Sequence, residues 1–585
     1  MTQQRQRRSD PSNKKTTPFS LVVSFLIGCC FFSLALNLIH ASFFQDQDDH
    51  EQAFRDKHIK VADSLVHHPV PSRKRNPNQT LAGLSCEPYG GPADPSEVVF
   101  WSDIPEDAEF VSPLKRTDGV EQYLLFEPDG GGWNNIRMSM ETVLAMAHAM
   151  GRTLVLPPEQ RMYLLGASNE AQKNAFSFMD FFPMDAIAAE HRGMDIITMD
   201  EFLQRVGLSG NLKDSTTGMP SFPPKNQTDY NGKNSEVEAN LNPWIRSIAV
   251  MPDWNPTVCL AAFPKSRDPE DSLSMQALLP SALDADGAPP DPTKFVGKPP
   301  DVAGSPHDRL REALAGRDQL CIYDTKLQEA PVVHFHGKKG MGGRLLVHFY
   351  AFLFFQDWRQ DLWMKRFVRD HVRYLDEIQC AAATIVQAVR ERARTTTDNP
   401  NGDFDTFHIR RGDFQYKKTR VSAEEIDDVS KDILTEGSTI YVGTDERDKS
   451  FFDPLAKKYN LLFLDDFLHL IPGINTNYYG MIDQLIAARG RVFFGCWFST
   501  FTGYINRIRG YYSVKHQLPG YEEGVIDSYY YAFPEHKLKM REYYPVKKAL
   551  YAREFPTSWR NIDTGVGLLT SRAILPSQGQ KGASR

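Results

Sequence analysis

The chain has 585 residues, of which 24% are charged and 41% hydrophobic, and its formal net charge is −7. This composition is that of a globular protein, and the length is sufficient for two or three domains with cores of their own. The mild acidity argues against a general nucleic-acid binder, which is usually basic overall or on one face. It does not exclude a local basic pocket for phosphate.

An uncharged apolar run occupies residues 19–39 near the N-terminus. Its length matches the roughly 20 residues that a helix needs to cross a bilayer. Basic residues precede the run and acidic residues follow it at 46–51, so the positive-inside rule predicts a cytosolic N-terminus and a lumenal body. A cleaved signal peptide is the alternative, but the run is longer than a typical h-region and lacks a clean small-x-small exit. We therefore expect a cytosolic tail over 1–18 and a transmembrane signal-anchor over 19–40.

Residues 41–115 are polar and proline-rich, which predicts a lumenal stem between the membrane and the body. The basic run at 73–75 is either a proteolytic processing site or part of a solvated linker. Two N-glycosylation sequons begin at Asn78 and Asn226 and lie in polar stretches where loops are expected. Both sequons fit a lumenal location.

The seven cysteines limit the possible cross-links. Two of them lie in the apolar run, and the other five are Cys86, Cys259, Cys321, Cys380 and Cys496. They form no CxxC pair and no cluster with zinc spacing, which argues against a structural zinc site. Because five is odd, at most two disulfides can form in the body and one thiol stays free, with the pairing left open.

The body begins with a βαβ pattern. The apolar strand Tyr123–Phe126 runs into a glycine-rich turn. The helix that follows has an apolar face repeating at i, i+3, i+4 and i+7 from Met140, and Gly151 ends it. Thr153–Leu156 is the next strand, so the sheet should be parallel. We assign residues 116–345 to an N-terminal, Rossmann-like domain.

Two further regions complete the predicted organisation. Residues 205–310 are rich in proline, glycine and aspartate, which predicts a long and partly disordered surface insertion. The apolar run 345–355 predicts a buried helix, and a second long helix is predicted over 370–394. Strands and helices then alternate, which predicts a second Rossmann-like domain over 346–560 and a tail over 561–585. The predicted strands are 406–409, 439–442, 461–464 and 492–494, and the predicted helices are 446–458, 481–489 and 500–509.

The first chemical motif lies at the end of the predicted strand 406–409 and includes His408, Arg410, Arg411, Gly412 and Asp413. Ligands bind at the carboxyl ends of strands in such sheets, and two guanidinium groups there suit a diphosphate. A structural salt bridge with Asp413 is the alternative. The tripeptide 411–413 also spells a cell-adhesion motif, but adhesion needs an exposed flexible loop and this tripeptide adjoins a buried-looking strand.

The second motif lies where a strand breaks at Gly495 and a helix begins at Ser499 and Thr500. A helix N-terminus with hydroxyl side chains is an anion site, and plain N-capping is the alternative. Asp483 precedes this motif on another predicted helix. Its carboxylate can accept hydrogen bonds from both N1–H and N2–H of a guanine base.

The third motif is the glycine run 130–132 followed by Trp133, Asn134 and Asn135. Glycines allow a backbone to approach a sugar or phosphate closely, although a tight βα turn would look the same. The run matches neither a dinucleotide-binding fingerprint nor a phosphate loop with its lysine. His334 and His336 lie on one side of a strand, but without a third ligand nearby we interpret them as core or hydrogen-bonded histidines rather than metal ligands.

Together, these segments resemble the GDP-fucose fucosyltransferases, especially the protein O-fucosyltransferase branch, over residues 120–515. The resemblance implies a GT-B-like α/β fold of two Rossmann-like domains and an inverting, metal-independent reaction with GDP-fucose as the donor substrate and no cofactor. It implies that Arg410 binds the β-phosphate as the main catalytic residue, that Arg411 and Asp413 assist, and that His408 and Asp483 read the guanine. It further implies that the phosphates lie against Ser499, Thr500 and Phe501. Asn134 would be a second catalytic residue, near the fucose. The acceptor side would be formed by Gly131, Gly132, Trp133, Asn134 and Asn135.

One departure concerns the general base. Some O-fucosyltransferases carry a glutamate in the glycine loop, and Gly131 stands at that position here. The expected function is fucose transfer from GDP-fucose to a protein Ser/Thr or glycan hydroxyl, in a type II protein of the Golgi or endoplasmic reticulum membrane. Its expected partners are GDP-fucose, a glycoprotein or glycan acceptor and the lipid bilayer, with no nucleic acid. The alternative is a catalytically silent GDP-sugar-binding or scaffold protein.

Overall fold

A computed structural model describes residues 83–102, 104–163, 165, 175–284, 306–314, 317–337, 346, 353–395, 399–412, 414–521, 524, 526–532, 540, 554, 558–559 and 562–563. The predicted cytosolic tail, membrane anchor and most of the stem lie outside these residues, as do Asn78 and Asp413. Within the described part of the chain, no helix is long and apolar enough to cross a membrane.

Twelve strands in the described residues form three sheets. The strands are β1 Tyr123–Phe126, β2 Thr153–Leu156, β3 Ile196–Thr198, β4 Cys259–Phe263, β5 Gln319–Ile322, β6 Val332–Phe335, β7 Leu353–Phe355, β8 Asp405–Ile409, β9 Thr439–Thr444, β10 Asn460–Leu462, β11 Phe493–Cys496 and β12 Ser528–Ala532. All the strand pairs in these sheets are parallel, which confirms the predicted α/β class with parallel sheets.

Helices of five or more residues connect the strands. They are α1 Pro105–Glu109, α2 Trp133–Met150, α3 Met184–Glu190, α4 Met199–Arg205, α5 Asn242–Ile248, α6 Pro269–Asp284, α7 Pro306–Leu314, α8 Thr325–Glu329, α9 Trp358–Asp370, α10 Asp376–Arg394, α11 Ala423–Ser430, α12 Tyr479–Ala487 and α13 Thr500–His516.

The first sheet has the order β3-β2-β1-β6 and contains the predicted βαβ unit. β1, α2 and β2 have the predicted order, and β1 pairs in parallel with β2. Gly151 ends α2 with a left-handed φ of 64°, a conformation that favours glycine. All 18 residues of α2 are buried, so this helix runs through the protein interior and not along its surface.

The predicted surface insertion was wrong for much of its length. Within 205–310, α5 packs its apolar side chains into a buried core, and β4 is buried at every residue. β4 lies between β5 and β7 in a third, three-stranded sheet. Five consecutive apolar residues in β4 can form a buried strand, and the surrounding proline and glycine obscured that signal.

The same sheet corrects the end of the predicted helix over 345–355, of which Leu346 is helical, whereas 345 and 347–352 lie outside the described residues. Residues Leu353–Phe355 form β7, which pairs in parallel with β4. A short apolar run does not distinguish a buried strand from a buried helix, and here the free edge of β4 decides the outcome. The second long helix begins at Asp376 and not at 370, because Leu375 is extended.

The C-terminal sheet has the order β10-β9-β8-β11-β12. β8, β9, β10 and β11 correspond to the predicted strands within about two residues, whereas β12 was not predicted. α12 and α13 correspond to the last two predicted helices. The predicted helix over 446–458 is instead a 3₁₀ turn, Lys449–Phe452, followed by one helical turn, Asp453–Ala456. Pro454 lies in the first turn of that second piece, a position that proline favours because it has no N–H to donate.

Buried contacts join the two halves, meaning the first sheet with its helices and the C-terminal sheet with its helices. One apolar core contains residues of α2, α9, α10, α12 and α13. Within it, Glu141 of α2 accepts from Arg137 at 2.6 Å and from Arg507 of α13 at 2.6 and 3.0 Å. Both arginines also pair with Glu554, and the four side chains are at most 2% exposed.

Two disulfides support the body. Cys86 pairs with Cys380, and Cys259 of β4 pairs with Cys321 of β5. Cys496 is free and buried at the end of β11. Among the described cysteines, the limit of two disulfides and one free thiol is confirmed, and the structure supplies the pairing that the sequence left open.

Candidate active site

The C-terminal sheet edge is formed by residues 408–412, 444–446 and 496–502, where β8, β9 and β11 end. Arg410 follows β8, and its guanidinium is paired with the carboxylate of Asp445, which follows β9. The Arg411 backbone N–H donates to the same carboxylate at 2.7 Å. About a quarter of each side chain in the Arg410–Asp445 pair is exposed, so the pair is partly accessible to solvent. A cation in this position can bind a phosphate.

Arg411 has a different environment from its neighbour. Its Nε donates to Glu446 at 2.9 Å, and its Nη1 donates to the Val421 carbonyl at 2.9 Å. The guanidinium also lies over the Phe451 ring at 3.8 Å, on the wall of an open pocket of about 510 Å³. These contacts hold Arg411 in the structure of the sheet edge and disfavour the adhesion interpretation, which needs a mobile arginine.

Gly412 allows the Asp445 carboxylate to fold back against the motif. A Cβ atom on Gly412 would lie 2.4 Å from Asp445 Oδ2 and 3.0 Å from Cγ. A side chain at position 412 would therefore displace the carboxylate that holds Arg410. Asp413, the alternative salt-bridge partner considered from the sequence, lies outside the described residues.

His408 is buried beneath the edge, with 5% of its surface exposed. Its ring stacks on Phe501 with 4.4 Å between centroids, and its Nδ1 lies 2.7 Å from Thr502 Oγ1. Burial and the nearby charge of Arg410 lower the pKa of His408 to about 3, so the imidazole is neutral at physiological pH. Among the described residues, none bonds to Nε2, which leaves that nitrogen for a ligand.

Asp483 lies on α12 beside the same face of the sheet. Its Oδ1 accepts a hydrogen bond from Tyr441 at 2.6 Å, and its side chain lies against Gly443, the β9 partner of His408 in the strand register. Burial raises the pKa of Asp483 to about 7, against the opposing hydrogen bond from Tyr441. The structure therefore brings His408 and Asp483 to one face of adjacent strands.

The start of α13 supplies the third part of the sheet edge. Ser499 is its N-cap, and its Oγ accepts from the Thr502 N–H at 3.4 Å. Thr500 and Phe501 follow as half-buried residues at the first turn. Ser499 therefore has the capping role considered from the sequence, and the N-terminus of α13 lies at the sheet edge.

The glycine loop, residues 129–134, faces α12 and α13 from the other half. Asp129 accepts from the Gly131 N–H at 2.7 Å, and Gly132 is the N-cap residue of α2. Trp133 packs between Phe181 and Phe182, with centroid distances of 4.2 and 5.8 Å. This packing fixes the first turn of α2.

Asn134 connects the glycine loop to α12. Its Oδ1 accepts from Gln484 Nε2 at 2.9 Å and from Arg137 Nε at 3.4 Å. Gln484 directly follows Asp483, so Asn134 contacts the helix that carries Asp483. Asn135 is buried, and within the described chain its Oδ1 has no hydrogen-bond partner.

The nearest glutamate to the glycine loop is occupied. Glu127 accepts from the Gly337 N–H at 2.8 Å, lies 3.3 Å from His334 Nε2 and pairs with Arg246. Burial alone would raise the pKa of Glu127, but the bonds from His334 and Arg246 lower it to about 2. Such an ionised, fully engaged carboxylate is a poor general base.

His334 is a buried, hydrogen-bonded histidine, which confirms the interpretation made from the sequence. Burial lowers its pKa, so the ring is neutral. Within the described residues, no three histidine, cysteine, aspartate or glutamate side chains form a group that could hold a metal ion.

Sequence reasoning missed four residues of this site. Asp445 and Tyr441 hold Arg410 and Asp483, Thr502 contacts both His408 Nδ1 and the Cys496 N–H, and Gln484 holds Asn134. Asp445 had a usable signal, since it follows the strand next to β8. Gln484 had none, because its partner lies 350 positions away.

Comparisons with known proteins agree with the motifs. A sequence model of the GDP-fucose protein O-fucosyltransferase family matches residues 123–512, which is more than half of the chain. No curated protein matches the chain in sequence.

Solved structures show distant likenesses. The apo form of POFUT1 is 14% identical over 68% of this chain and 97% of that one, with a TM-score of 0.28. The fucosyltransferase NodZ from Bradyrhizobium is 12% identical over 66% of this chain and 93% of that one, with a TM-score of 0.26. A mutant of Arabidopsis thaliana FUT1 in complex with GDP is 9% identical over 72% of this chain and 73% of that one, with a TM-score of 0.28. At such scores these likenesses add nothing to the assignment, which depends on the family match and the residues above. The chain belongs to the GDP-fucose protein O-fucosyltransferase family and is a GDP-fucose-dependent fucosyltransferase.

Proposed function

We propose that this protein moves fucose, with inversion and without a metal ion, from GDP-fucose to a lumenal protein Ser/Thr or glycan hydroxyl. The observation that carries the proposal is that Arg410, His408 and Asp483 come together at the C-terminal sheet edge, where Gln484, the neighbour of Asp483, hydrogen-bonds to Asn134 of the glycine loop. GDP would lie on the sheet edge and the fucose would lie toward Asn134.

The charge of the departing GDP defines the role of Arg410. As the bond between fucose C1 and the β-phosphate oxygen breaks, its electron pair stays on GDP and an oxocarbenium-like sugar develops. The Arg410 guanidinium binds the phosphate more strongly as this charge grows, which lowers the barrier. The guanidinium thus supplies the positive charge that a metal ion would otherwise provide, and this is the basis for proposing a metal-independent reaction.

The acceptor hydroxyl forms a bond to C1 on the face opposite GDP and loses its proton, which gives inversion. Gly131 cannot take that proton, and Glu127 is held by His334, Arg246 and the Gly337 N–H. We therefore propose that the proton leaves to solvent or to a group of the acceptor, in a displacement driven mainly by the departure of GDP.

The lumenal location has two structural supports. The pairs Cys86–Cys380 and Cys259–Cys321 suit an oxidising compartment, because cytosolic thiols are kept reduced. Asn226 of the second sequon is exposed, as a glycosylated asparagine must be. With the anchor proposed for 19–40, these features favour a type II protein of the Golgi or endoplasmic reticulum membrane, in contact with the bilayer through that anchor.

The test uses the full chain, purified in detergent, with GDP-fucose and a panel of glycoprotein and glycan acceptors. We expect GDP release that depends on an acceptor, persists in a metal chelator and is lost in Arg410→Ala. Analysis of the product by NMR should show the α-anomer from the β-linked donor. Release that requires a divalent cation, or retention of the anomeric configuration, contradicts the mechanism.

The engaged state of Glu127 favours a second candidate, a silent GDP-sugar-binding protein. That protein would bind GDP and GDP-fucose on the sheet edge without turnover. The two functions separate in one experiment, since both predict GDP binding by calorimetry and only the transferase predicts acceptor-dependent GDP release.

A further inference from the structure

Four buried side chains form a continuous hydrogen-bonded chain between the two halves. Trp133 Nε1 lies 3.2 Å from the Tyr374 hydroxyl, which lies 2.9 Å from Gln484 Oε1, and Gln484 Nε2 lies 2.9 Å from Asn134 Oδ1. These side chains are at most 8% exposed, so water does not compete for most of these bonds.

The direction of every bond in this chain follows from its first member. The indole of Trp133 can only donate, so the Tyr374 oxygen accepts and its hydroxyl hydrogen is left for Gln484. The Tyr374 hydroxyl is buried and has no other acceptor among the described residues, so Gln484 directs its carbonyl oxygen to Tyr374 and its amide nitrogen to Asn134. Asn134 accordingly accepts through Oδ1, and the weaker bond from Arg137 Nε, at 3.4 Å, favours the same orientation.

This direction fixes which end of the Asn134 amide meets a ligand. Among the described residues, none accepts a hydrogen bond from Asn134 Nδ2, and the side chain keeps 7% of its surface exposed. The NH₂ group is therefore the end left for a ligand, as a donor of two hydrogen bonds. Its partners would be oxygen atoms, such as a sugar hydroxyl or a phosphate oxygen.

Gln484 also borders the other wall of the site. It follows Asp483 on α12, and its Nε2 lies 3.5 Å from the carbonyl of Phe501. We propose that Gln484 is a positioning residue that holds Asn134 with its NH₂ group toward the sugar of the donor. This inference rests on the proposed function, which places the fucose next to Asn134.

The test compares two substitutions at position 484 in the full chain. Gln484→Met keeps the length of the side chain but cannot donate, so Asn134 loses its orienting bond. We expect kcat to fall roughly 10- to 100-fold, because a small misplacement at a reacting centre has effects of this size. The Kd for GDP should stay within about twofold, since Arg410, His408 and Asp483 are unchanged. The preference for GDP-fucose over GDP, measured by calorimetry, should disappear.

Gln484→Glu distinguishes positioning from packing. Burial raises the pKa of a carboxyl group, and the protonated acid can donate to Asn134 as the glutamine does. We expect Gln484→Glu to exceed Gln484→Met in kcat, at least at the acid end of a series from pH 5.5 to 8. Equal kcat values for the two variants at every pH overturn the proposal.

A matched control is available elsewhere in the chain. Gln379 of α10 is also fully buried, and neither end of its amide has a hydrogen-bond partner among the described residues. Gln379→Met should leave kcat and the preference for GDP-fucose unchanged. If Gln379→Met and Gln484→Met are equally impaired, the loss belongs to general packing and the proposal fails.

Two measurements distinguish a failure of the role proposed for Gln484 from a failure of the proposed fucosyl transfer. If the folded wild type binds neither GDP nor GDP-fucose, the donor site itself is wrong before any variant is compared. A crystal structure of the wild type, at a resolution that separates amide nitrogen from oxygen, tests the chain of bonds without any ligand. Asn134 with Oδ1 toward Gln484 supports the proposal, and the reverse orientation overturns it.

Discussion

The C-terminal sheet edge and the glycine loop are both parts of the proposed site, but they are held in different ways. At the sheet edge, Arg410 and Arg411 pair with the carboxylates of Asp445 and Glu446, each 35 positions later in the sequence. Both carboxylates follow β9, the strand adjacent to β8. At the glycine loop, Asn134 meets Gln484 from 350 positions away, and Trp133 meets Tyr374 from 241 positions away. One sheet therefore sets the geometry of its edge, whereas the hydrogen bonds that hold Trp133 and Asn134 form only when the two halves pack together.

This difference predicts that binding and turnover respond to different changes. GDP binding should depend on the sheet edge and tolerate small shifts between the halves. Turnover should depend on both, because the sugar lies between them. The substitutions below test this separation, beginning with the largest expected effect.

The buried ion cluster is the strongest link between the halves. Glu141→Ala leaves the guanidinium groups of Arg137 and Arg507 buried with one fewer carboxylate, and breaking a buried pair in this way costs about 3–5 kcal/mol. We expect that decrease in the free energy of unfolding, measured with urea. Any folded fraction should retain GDP binding better than turnover.

Glu201→Ala is the control for Glu141. Glu201 pairs with Arg205 on the surface, and 44% and 51% of the two side chains are exposed. Loss of an exposed i,i+4 pair should change the free energy of unfolding by less than about 1 kcal/mol. Similar losses in the two variants would mean that the buried cluster contributes little to holding the halves together.

Arg410 and Arg411 test the sheet edge itself. Arg410→Ala should lower kcat roughly 100- to 1,000-fold, the usual effect of removing one group that stabilises transition-state charge. Arg411→Ala should lower kcat less than tenfold but lower the melting temperature, because Arg411 supports Glu446, the Val421 carbonyl and the Phe451 ring. Acceptor-dependent GDP release and thermal unfolding measure the two effects. Equal losses of kcat would mean that Arg411 also contacts the donor.

The same contrast explains what the sequence could predict. The strand before His408 and Arg410 was predictable because a buried apolar run ends in charged residues, and parallel sheets bind ligands there. The βαβ unit of the first sheet was predictable because its helix period and glycine turn are local signals. Gln484 was not, since nothing near it in sequence indicates a partner on α2.

The third sheet was missed for a related reason. β4 and β7 are short and apolar, and their paired residues, such as Ala261 and Leu353, are far apart in sequence. Among the described strands, β7 pairs only with β4, and β4 pairs with β5 and β7. Local composition around β4 is typical of a loop, and the tertiary contacts override it. Thr502 was missed for a smaller reason. A hydroxyl in the first turn of a helix is usually part of a cap, whereas here it contacts His408 on the adjacent strand β8.

The pH dependence of GDP binding tests Asp483. Its pKa is raised to about 7, so below that pH the free protein carries a proton that must leave before the carboxylate can accept both N–H groups of guanine. The affinity for GDP therefore reaches its maximum above pH 7, where Asp483 is ionised, and decreases as the pH falls. Between pH 7.5 and 6.0 we expect the Kd to rise roughly five- to tenfold.

Asp483→Asn separates this effect from titration of the GDP phosphate. The amide does not titrate, so the variant should bind GDP more weakly at pH 7.5 and show only the phosphate contribution as the pH falls. A wild-type profile parallel to that of Asp483→Asn would remove Asp483 from the guanine site.

The smallest expected effect compares two glycines of the sheet edge. A Cβ at Gly412 would lie 2.4 Å from Asp445 Oδ2, whereas a Cβ at Gly443 would meet Asp483 at 3.6 Å, an ordinary van der Waals distance. Gly412→Ala should therefore rotate Asp445 away from Arg410 and weaken GDP binding several-fold, while Gly443→Ala should change it by less than about twofold. Because Asp445 is held only from within its own sheet, the stability of the packed halves should be the same in both variants. A loss of GDP affinity in Gly412→Ala without a change in the melting temperature would show that the sheet edge sets its own geometry.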